Sequence, residues 1–204
     1  MRLLADGYKV SCLSYNYGQK HSIELERAKA NIAYLATNGI EVEHRIADLS
    51  SAMSLFHSAL TTEGYDVPGG HYEEEQMKQT VVPNRNAIFA SILYGYALSV
   101  ALREETDVVI ALGVHSGDHA IYPDCRPEFY EAISRAFEIG NWDSEKVSFY
   151  LPYIDGDKEG ILRDAEDSLS TLNLDFDTVF ANTNTSYNPD EHGRSSGRSG
   201  ADVE

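Results

Sequence analysis

The run DVVIAL at residues 107–112 constrains the fold more than any other segment of the chain. It is apolar almost without interruption, which is typical of a strand buried on both faces of a parallel sheet. Residues 86–103 directly before it form a strong helical pattern. Its core-facing positions are Ile88, Phe89, Ile92, Leu93, Tyr96 and Val100. We therefore predict a helix packed on a buried strand, which is the repeating unit of α/β domains.

Strand and helix patterns alternate along the rest of the chain. We predict strands at residues 8–15, 41–46, 107–112, 147–151 and 177–181. We predict helices at residues 21–38, 52–60, 86–103, 127–139 and 157–169. Gly39 fits the C-terminal stop of the first of these helices. This order predicts an α/β fold with a doubly wound, Rossmann-like parallel sheet.

Two polar segments interrupt the alternation. Residues 61–80 are polar and glycine-rich, and we expect a mobile surface loop there. The C-terminal residues 185–204 are polar and rich in turn-forming types, which taken alone indicates a disordered tail. We expect one α/β domain over residues 1–181 and a polar tail over residues 182–204.

Charge and composition exclude several classes of partner. The formal net charge is −17, with 33 acidic against 16 basic residues. Such a chain should repel nucleic acid and anionic membrane surfaces, so we expect a small-molecule substrate, although an acidic surface also simply promotes solubility. Cys12 and Cys125 give no disulfide framework. With no signal-peptide pattern and no long apolar run, we expect a cytoplasmic protein.

The most informative segment follows the buried strand, where open α/β sheets bind their ligands. Asp118 and Asp124 are acceptors suited to the N–H edge of a purine-like ring, and Tyr122 offers a stacking face. Arg126 presents a planar fork that suits a carboxylate or a phosphate. The alternative is a turn-rich connector with solvated charges. So dense a mixture directly behind a strand favours binding.

Two further segments carry cations at predicted helix starts. Arg85 lies between Asn84 and Asn86, where helix N–H groups favour anions, although one of the two asparagines is expected to cap the helix. Lys158 lies in the first turn of its helix, where a cation is unfavourable without a nearby anion. A phosphate contact and a solvated lysine are both open readings of Lys158.

Histidine and cysteine residues of the same loop have weaker functional readings. His115 and His119 have metal-ligand spacing only on a helix, and Gly117 between them indicates a loop, so we expect no metal there. Cys125 has no evident base beside it, so we expect a small buried thiol rather than a nucleophile.

Read together, these segments resemble the 7-cyano-7-deazaguanine synthases, queuosine-pathway enzymes of the adenine-nucleotide α-hydrolase-like superfamily. The matching segments, in the family's order, are Tyr17-Gly18-Gln19 with His21, Val82-Pro83-Asn84-Arg85-Asn86, Gly113-Val114 with Asp118, Tyr122-Pro123-Asp124-Cys125-Arg126 with Glu128-Phe129, Pro152-Tyr153 with Lys158, and Ser186-Tyr187 through Gly193-Arg194. The ordered set covers nearly the whole chain, and Tyr-Pro-Asp-Cys-Arg is a specific motif.

The resemblance implies an ATP-dependent carbon–nitrogen ligase that converts 7-carboxy-7-deazaguanine and ammonia to the nitrile. ATP and Mg²⁺ would activate the carboxylate by adenylation, ammonia would give an amide, and a second activation would remove water. A homodimer is our hypothesis for the assembly. The implied nucleotide contacts are Tyr17, Gly18, Gln19 and His21. The implied phosphate or adenylate contacts are Arg85 and Lys158, and the implied substrate contacts are Asn84, Asn86, Asp118, Tyr122, Asp124 and Arg126.

The chain departs from the family's pattern in two places. The family opens on a strand followed by a Ser-Gly-Gly-x-Asp-Ser loop that cradles pyrophosphate, and residues 1–7 resemble the last turns of the helix after that loop. We therefore expect the first strand and the phosphate loop to be missing. The family also binds a structural zinc through four cysteines, and the matching positions here are Ser186, Ser196, Ser199 and Asp202. Serine hydroxyls are poor Zn²⁺ ligands, so we expect no zinc.

Three functional hypotheses follow from these observations. The first is an active synthase. The second is a catalytically inactive homologue that binds the deazapurine but has lost the ATP chemistry. The third is another ligase or thiolase of the same superfamily, against which the motif at residues 122–126 argues.

Overall fold

The structure, a computed structural model, describes residues 1–20, 22–62, 75–120, 122–186, 190, 194–195 and 197. In chain order its helices and strands are α1 (Arg2–Ala5), β1 (Ser11–Asn16), α2 (Ile23–Thr37), β2 (Glu43–Asp48), α3 (Ser50–Met53), α4 (Arg85–Glu104), β3 (Val108–Ala111), α5 (Pro127–Gly140), β4 (Val147–Tyr150), α6 (Lys158–Thr171) and α7 (Phe176–Ala181). Short 3₁₀ helices lie at Glu75–Thr80, Ser116–Ala120, Pro123–Cys125 and Ser144–Lys146. The chain divides into a first unit, residues 1–83 with 162–204, and a second unit, residues 84–161. The predicted boundary between residues 181 and 182 stays a prediction.

The strands pair in parallel, as the sequence predicted. In the first unit β1 pairs with β2 from Ser11 opposite Glu43 to Asn16 opposite Asp48. In the second unit β3 pairs with β4 from Val108 opposite Val147 to Ala111 opposite Tyr150. Within the described ranges, each pair forms a two-stranded sheet. The α/β class is thereby confirmed, because parallel strands joined through helices define it.

The core of the first unit joins helices from both ends of the sequence. Its buried members are Leu35 of α2, Leu169 of α6, Val179 of α7 and Leu174 between the last two helices. At the end of α2, Gly39 adopts a φ of +78°, and its N–H donates to the Ala36 carbonyl at 3.0 Å. This left-handed residue ends the helix where the sequence predicted.

Helix α1 at the start of the chain joins the same core. Leu4 packs against it, and Arg2 donates from Nη1 to Oδ1 of Asp164 in α6 at 2.7 Å. The helical reading of residues 1–7 is confirmed for Arg2–Ala5.

The last predicted strand, residues 177–181, is wrong, because Phe176–Ala181 is helix α7. Asp175 stands at the N-cap, and its Oδ2 accepts from the Thr178 N–H at 2.7 Å and from the Thr178 hydroxyl at 2.6 Å. These bonds lower the pKa of Asp175. A short β-favouring run is thus overridden by a local cap, which satisfies a helix N–H that has no partner within the helix.

The predicted helix at residues 52–60 is mostly wrong, because α3 ends at Met53. Further along, the Ser58 hydroxyl donates to the Thr80 carbonyl at 3.2 Å and accepts from the Leu60 N–H at 3.2 Å. Serine side chains that bond to the backbone in this way compete with helix formation.

The loop expected at residues 61–80 is corrected at its C-terminal end. The Glu75–Thr80 segment is a 3₁₀ helix and Thr80 is fully buried, while residues 63–74 lie outside the described residues.

The core of the second unit forms where α4 lies on β3 and β4. Tyr94, Ala97 and Ala101 of the helix pack against Ile110 and Val147 of the strands. Tyr94 also stacks on the Phe137 ring of α5, with ring centroids 4.4 Å apart. The predicted strand–helix unit around DVVIAL is confirmed, but the predicted core-facing positions of the helix are corrected. The buried residues of α4 are Ala90, Tyr94, Ala97 and Ala101, because small side chains allow its backbone to approach the strands closely. The positions predicted to face the core are only half-buried, namely Ile88, Phe89, Ile92, Leu93, Tyr96 and Val100.

The helical stretch Lys78–Glu104, which contains α4, is long and apolar enough to cross a membrane when judged by length and composition alone. That test is weak for a single helix, because the core helix of a soluble protein also passes it. Tyr94, Ala97 and Ala101 place one side of α4 in the core of the second unit.

Candidate functional site

The loop after β1 is shaped by the side chain of Gln19. Its Oε1 accepts from the Tyr17 N–H at 2.8 Å, and its Nε2 donates to the Tyr15 carbonyl at 3.2 Å. Gly18 between them adopts a φ of +78°, a conformation that L side chains rarely adopt. The predicted nucleotide contacts Tyr17, Gly18 and Gln19 therefore lie in one tight turn, while His21 lies outside the described residues.

The loops after β1 and β2 are tied together at the carboxyl ends of their strands. Asp48 accepts from Asn16 Nδ2 at 3.2 Å and from the Ser50 hydroxyl at 2.6 Å. The hydrogen bonds from Ser50, and then the one from Asn16, lower the pKa of the exposed Asp48 carboxyl. The motifs of the sequence did not predict this contact. The only available signal was that both residues end parallel strands, whose carboxyl ends share one edge.

The loop after β3, at residues 113–126, folds on itself through two 3₁₀ turns. Tyr122 donates from its N–H to the Asp118 carbonyl at 2.9 Å, and its side chain is buried, with 3% of the residue exposed. Arg126 is exposed, and its Nε donates to the His119 carbonyl at 2.7 Å. That bond uses Nε, so a ligand at the Arg126 guanidinium would bind to the side formed by the two Nη groups.

Helix α4 begins against this same loop. Asn84 occupies the N-cap with a left-handed φ of +61°, but its side chain makes no capping hydrogen bond. Instead, the Asp124 carboxylate accepts from the Asn86 N–H at a long 3.4 Å. The Asn86 amide in turn donates to Cys125 Sγ at 3.3 Å. An asparagine thus occupies the N-cap of α4 as expected, but its side chain makes no capping bond. The Asp124 carboxylate accepts from the helix N–H instead, and its charge suits the positive end of the helix.

A buried thiol lies at this junction beside two carboxylates. Burial, and after it the carboxylates of Asp118 and Asp124, raise the pKa of the Cys125 thiol to about 12, while Arg85 and the hydrogen bond from Asn86 oppose the rise. Burial also raises the pKa of the Tyr130 hydroxyl. Cys125 is 5% exposed. At neutral pH its thiol is protonated and a poor nucleophile, which agrees with the small buried thiol that the sequence predicted.

The Cys125 thiol predicts a loss of stability in alkali. Its pKa is 9.0 ordinarily and about 12 in the folded chain, so the folded state holds the proton more tightly. The stabilising contribution is complete below pH 9 and declines as the pH rises from about 9 towards 12. We expect the free energy of unfolding in urea to fall between about pH 9 and pH 11, and to fall less in Cys125→Ala. Equal slopes for both proteins would contradict this assignment.

The loop before α6 is tied to the loop after β3. Ser116 donates to the Gly156 carbonyl from its N–H at 2.9 Å and from its hydroxyl at 2.6 Å. Lys158 is half-buried at the start of α6, next to Asp157, whose Oδ1 accepts from the Gly160 N–H at 2.8 Å. Asp157 therefore supplies an anion at this helix end, and a phosphate is not required to explain a cation there.

The predicted site residues are distributed over both units. The second unit holds Asn84, Arg85, Asn86, Asp118, Tyr122, Asp124, Arg126 and Lys158. The first unit holds Tyr17, Gly18 and Gln19. Arg85, at the first turn of α4, is half-buried and close enough to influence Cys125 and Tyr130 electrostatically.

Metal binding needs several ligating side chains close together. Among the described residues, no three His, Cys, Asp or Glu side chains come together in a way that could hold a metal ion. Ser186, one of the positions matched to the zinc cysteines, is 1% exposed and takes a hydrogen bond on its carbonyl from Asn184 Nδ2 at 3.0 Å. A neutral serine hydroxyl does not fit Zn²⁺.

Comparison with known families identifies the chain. A family model described as queuosine biosynthesis protein QueC matches residues 1–201. The chain belongs to this family. The resemblance inferred from the ordered motifs is thereby confirmed.

Individual relatives from several bacteria match over most of their length. The chain is 42% identical to 7-cyano-7-deazaguanine synthase 1 of Colwellia psychrerythraea over 187 residues, which are 92% of this chain and 77% of that protein. It is 41% identical to the 7-cyano-7-deazaguanine synthase of Alteromonas mediterranea over 200 residues, 98% and 82% of the two chains. For the synthase of Hahella chejuensis the identity is 42% over 202 residues, 99% and 78%.

Proposed function

We propose that the chain catalyses the ATP-dependent conversion of 7-carboxy-7-deazaguanine and ammonia to 7-cyano-7-deazaguanine. The observation that carries this proposal is the family match over residues 1–201, together with relatives named as this synthase. The packed loop at residues 113–126 supports it, because acceptors and a guanidinium lie together directly after a strand.

The second unit would bind the deazaguanine. Asp118 and Asp124 would accept from the N–H edge of the base, and the two Nη groups of Arg126 would take the substrate carboxylate. Asn84 and Asn86 would line the same site from the start of α4. Tyr122 was expected to stack on the base, but with 3% of the residue exposed it would instead support the loop beneath the base.

Activation of the carboxylate would require charge neutralisation. A carboxylate is a poor electrophile until ATP turns one of its oxygens into part of a leaving group. Arg85 and Lys158, each at the first turn of a helix in the second unit, would stabilise the phosphate charge that develops. Tyr17, Gly18 and Gln19, together with His21, would bind the nucleotide, and Mg²⁺ would arrive with ATP, which leaves the protein few ligands to supply.

Replacing Arg126 tests the binding role. We expect Arg126→Ala to raise the Kd for 7-carboxy-7-deazaguanine about 100-fold, because a bidentate, charge-assisted pair of hydrogen bonds with the substrate carboxylate is lost. Isothermal titration calorimetry measures this directly. Arg135→Ala is the matched control, since Arg135 is an exposed arginine of α5 paired with Glu138 at 3.0 Å. Equal affinities of Arg126→Ala and the control would remove Arg126 from the site.

A second candidate function is a catalytically inactive homologue that binds the deazapurine. Calorimetry with 7-carboxy-7-deazaguanine, followed by a product assay with ATP, separates the two. Binding without ATP-dependent product supports the inactive homologue, whereas binding with product supports the synthase.

The finer description of the fold belongs to the same proposal. We propose a doubly wound, Rossmann-like parallel sheet of the adenine-nucleotide α-hydrolase-like kind, which the parallel pairing within each described strand pair supports. A cytoplasmic location, a homodimer, and the lack of a zinc ion and of nucleic-acid or membrane partners complete the proposal.

A further inference from the structure

His115 lies between two groups of the ligand loop that fix its ring. Its Nδ1 accepts a hydrogen bond from the Gly117 N–H at 3.2 Å. Its Nε2 faces Oδ2 of Asp118 at 3.7 Å. The His115 side chain is 12% exposed, so it lies largely within the loop rather than in solvent.

The hydrogen bond from the Gly117 N–H selects the tautomer of the neutral His115 ring. A nitrogen that accepts a hydrogen bond carries no proton, so the neutral ring has its single N–H at Nε2. That N–H points towards the Asp118 carboxylate. A distance of 3.7 Å is too long for a direct hydrogen bond, but electrostatic attraction acts across it and a bound ligand can draw the pair closer.

We propose that His115 is a positioning residue that orients the Asp118 carboxylate as an acceptor for the N–H edge of the ligand. The proposal rests on the proposed function, in which Asp118 contacts the deazaguanine. Asp118 suits this role because its side chain is 23% exposed, so part of it can reach a ligand while Oδ2 faces His115.

The consequence is selectivity for one kind of base. An ionised carboxylate only accepts hydrogen bonds, so it pairs with the adjacent N–H donors of a 2-amino-6-oxo ring. A ring with a lone pair at that edge would repel the carboxylate and give it no hydrogen-bond donor. Sites built around such a hydrogen bond reject these analogues strongly. By orienting the Asp118 carboxylate, the His115 N–H would strengthen this discrimination.

The loop is rigid enough to make such an orientation effective. The double hydrogen bond from Ser116 to the Gly156 carbonyl anchors the residue between His115 and Gly117. The Asp118 carbonyl accepts a hydrogen bond from the Tyr122 N–H, which holds the backbone of Asp118 in place. His115 and Asp118 therefore project from a backbone that is fixed on both sides.

Two substitutions separate the nitrogen atoms of the ring. In His115→Gln, the amide nitrogen is the same number of bonds from the backbone as Nε2, so the donor towards Asp118 is kept. In His115→Asn, the side-chain oxygen can replace Nδ1 as acceptor for Gly117, but the donor is lost. We expect His115→Gln to keep the Kd for 7-carboxy-7-deazaguanine within about threefold of the original. We expect His115→Asn to raise Kd and KM about tenfold with kcat nearly unchanged. This is the pattern when the lost interaction is equally strong in the bound substrate and in the transition state.

A double-mutant cycle shows whether His115 acts through Asp118. In the Asp118→Asn background, where the carboxylate is gone, His115→Asn should have no further effect on Kd. Equal affinities of His115→Asn and His115→Gln, or additive effects of His115→Asn and Asp118→Asn, would overturn the proposal. Circular dichroism confirms that each variant is folded. Failure of the unmodified chain to bind the base, or an unchanged Kd in Asp118→Asn, would instead overturn the proposed function, and this inference with it.

Discussion

Arg85→Ala is expected to lower kcat for nitrile formation about 1,000-fold while leaving the Kd for 7-carboxy-7-deazaguanine within a few-fold of the original. Removing one preorganised donor that stabilises transition-state charge typically costs 10²–10³ in rate. Arg85 has the features of such a donor, since it is half-buried at the first turn of α4 and close to the loop that carries Asp118 and Asp124. Steady-state kinetics with calorimetry on the same protein give both quantities.

Arg103→Ala is the matched control for this prediction. Arg103 lies in the last turn of the same helix, is exposed, and pairs with its neighbour Glu104 at 3.2 Å. We expect it to leave kcat unchanged, because exposed ion pairs contribute little and this one is far along the helix from the loop. A kcat for Arg85→Ala equal to that of Arg103→Ala would remove Arg85 from the chemistry. A large rise in Kd alone would make it a binding residue.

Leu169→Ala is expected to lower the free energy of unfolding by about 2–5 kcal/mol, the usual cost of a large-to-small change in a packed core. Leu169 is 1% exposed and lies with Leu35, Leu174 and Val179 in the core of the first unit. A cavity there would loosen the contacts of α6 with its neighbours. Urea denaturation followed by circular dichroism measures the change.

Leu162→Ala provides the comparison within the same helix. Leu162 is 44% exposed, so the same chemical change should cost much less than at Leu169. Comparable losses at the two positions would mean that α6 does not bury the face described above.

Secondary structure was predictable where side-chain patterns repeat over a long stretch. The helices that became α2, α4, α5 and α6 lie within a few residues of their predicted bounds, since several turns of apolar spacing define each of them. Helix α7 was missed because it is short and depends on a single local cap at Asp175, which outweighs the β-favouring residues that follow. The segment after Met53 failed as a helix because Ser58 bonds to a backbone carbonyl more than 20 residues away.

The candidate site was predictable as a set of loops but not as a set of contacts. The carboxyl ends of parallel strands identify the loops in advance, since that edge binds ligands in this class of fold. The positions of Asp124 at the start of α4 and of Gln19 within its own turn depend on hydrogen bonds that no spacing rule encodes. His115 shows the same limit. Its spacing from His119 raised only a metal site, which was not expected in a loop, while in the structure its Nε2 lies 3.7 Å from Oδ2 of Asp118.

The measurement that tests the proposed function most directly is product formation by the purified chain. It is incubated with 7-carboxy-7-deazaguanine, ATP, Mg²⁺ and an ammonium salt, and the products are identified by mass spectrometry. The account predicts 7-cyano-7-deazaguanine that forms only when ATP and ammonia are both present. Binding of the base with no nitrile under these conditions would contradict it.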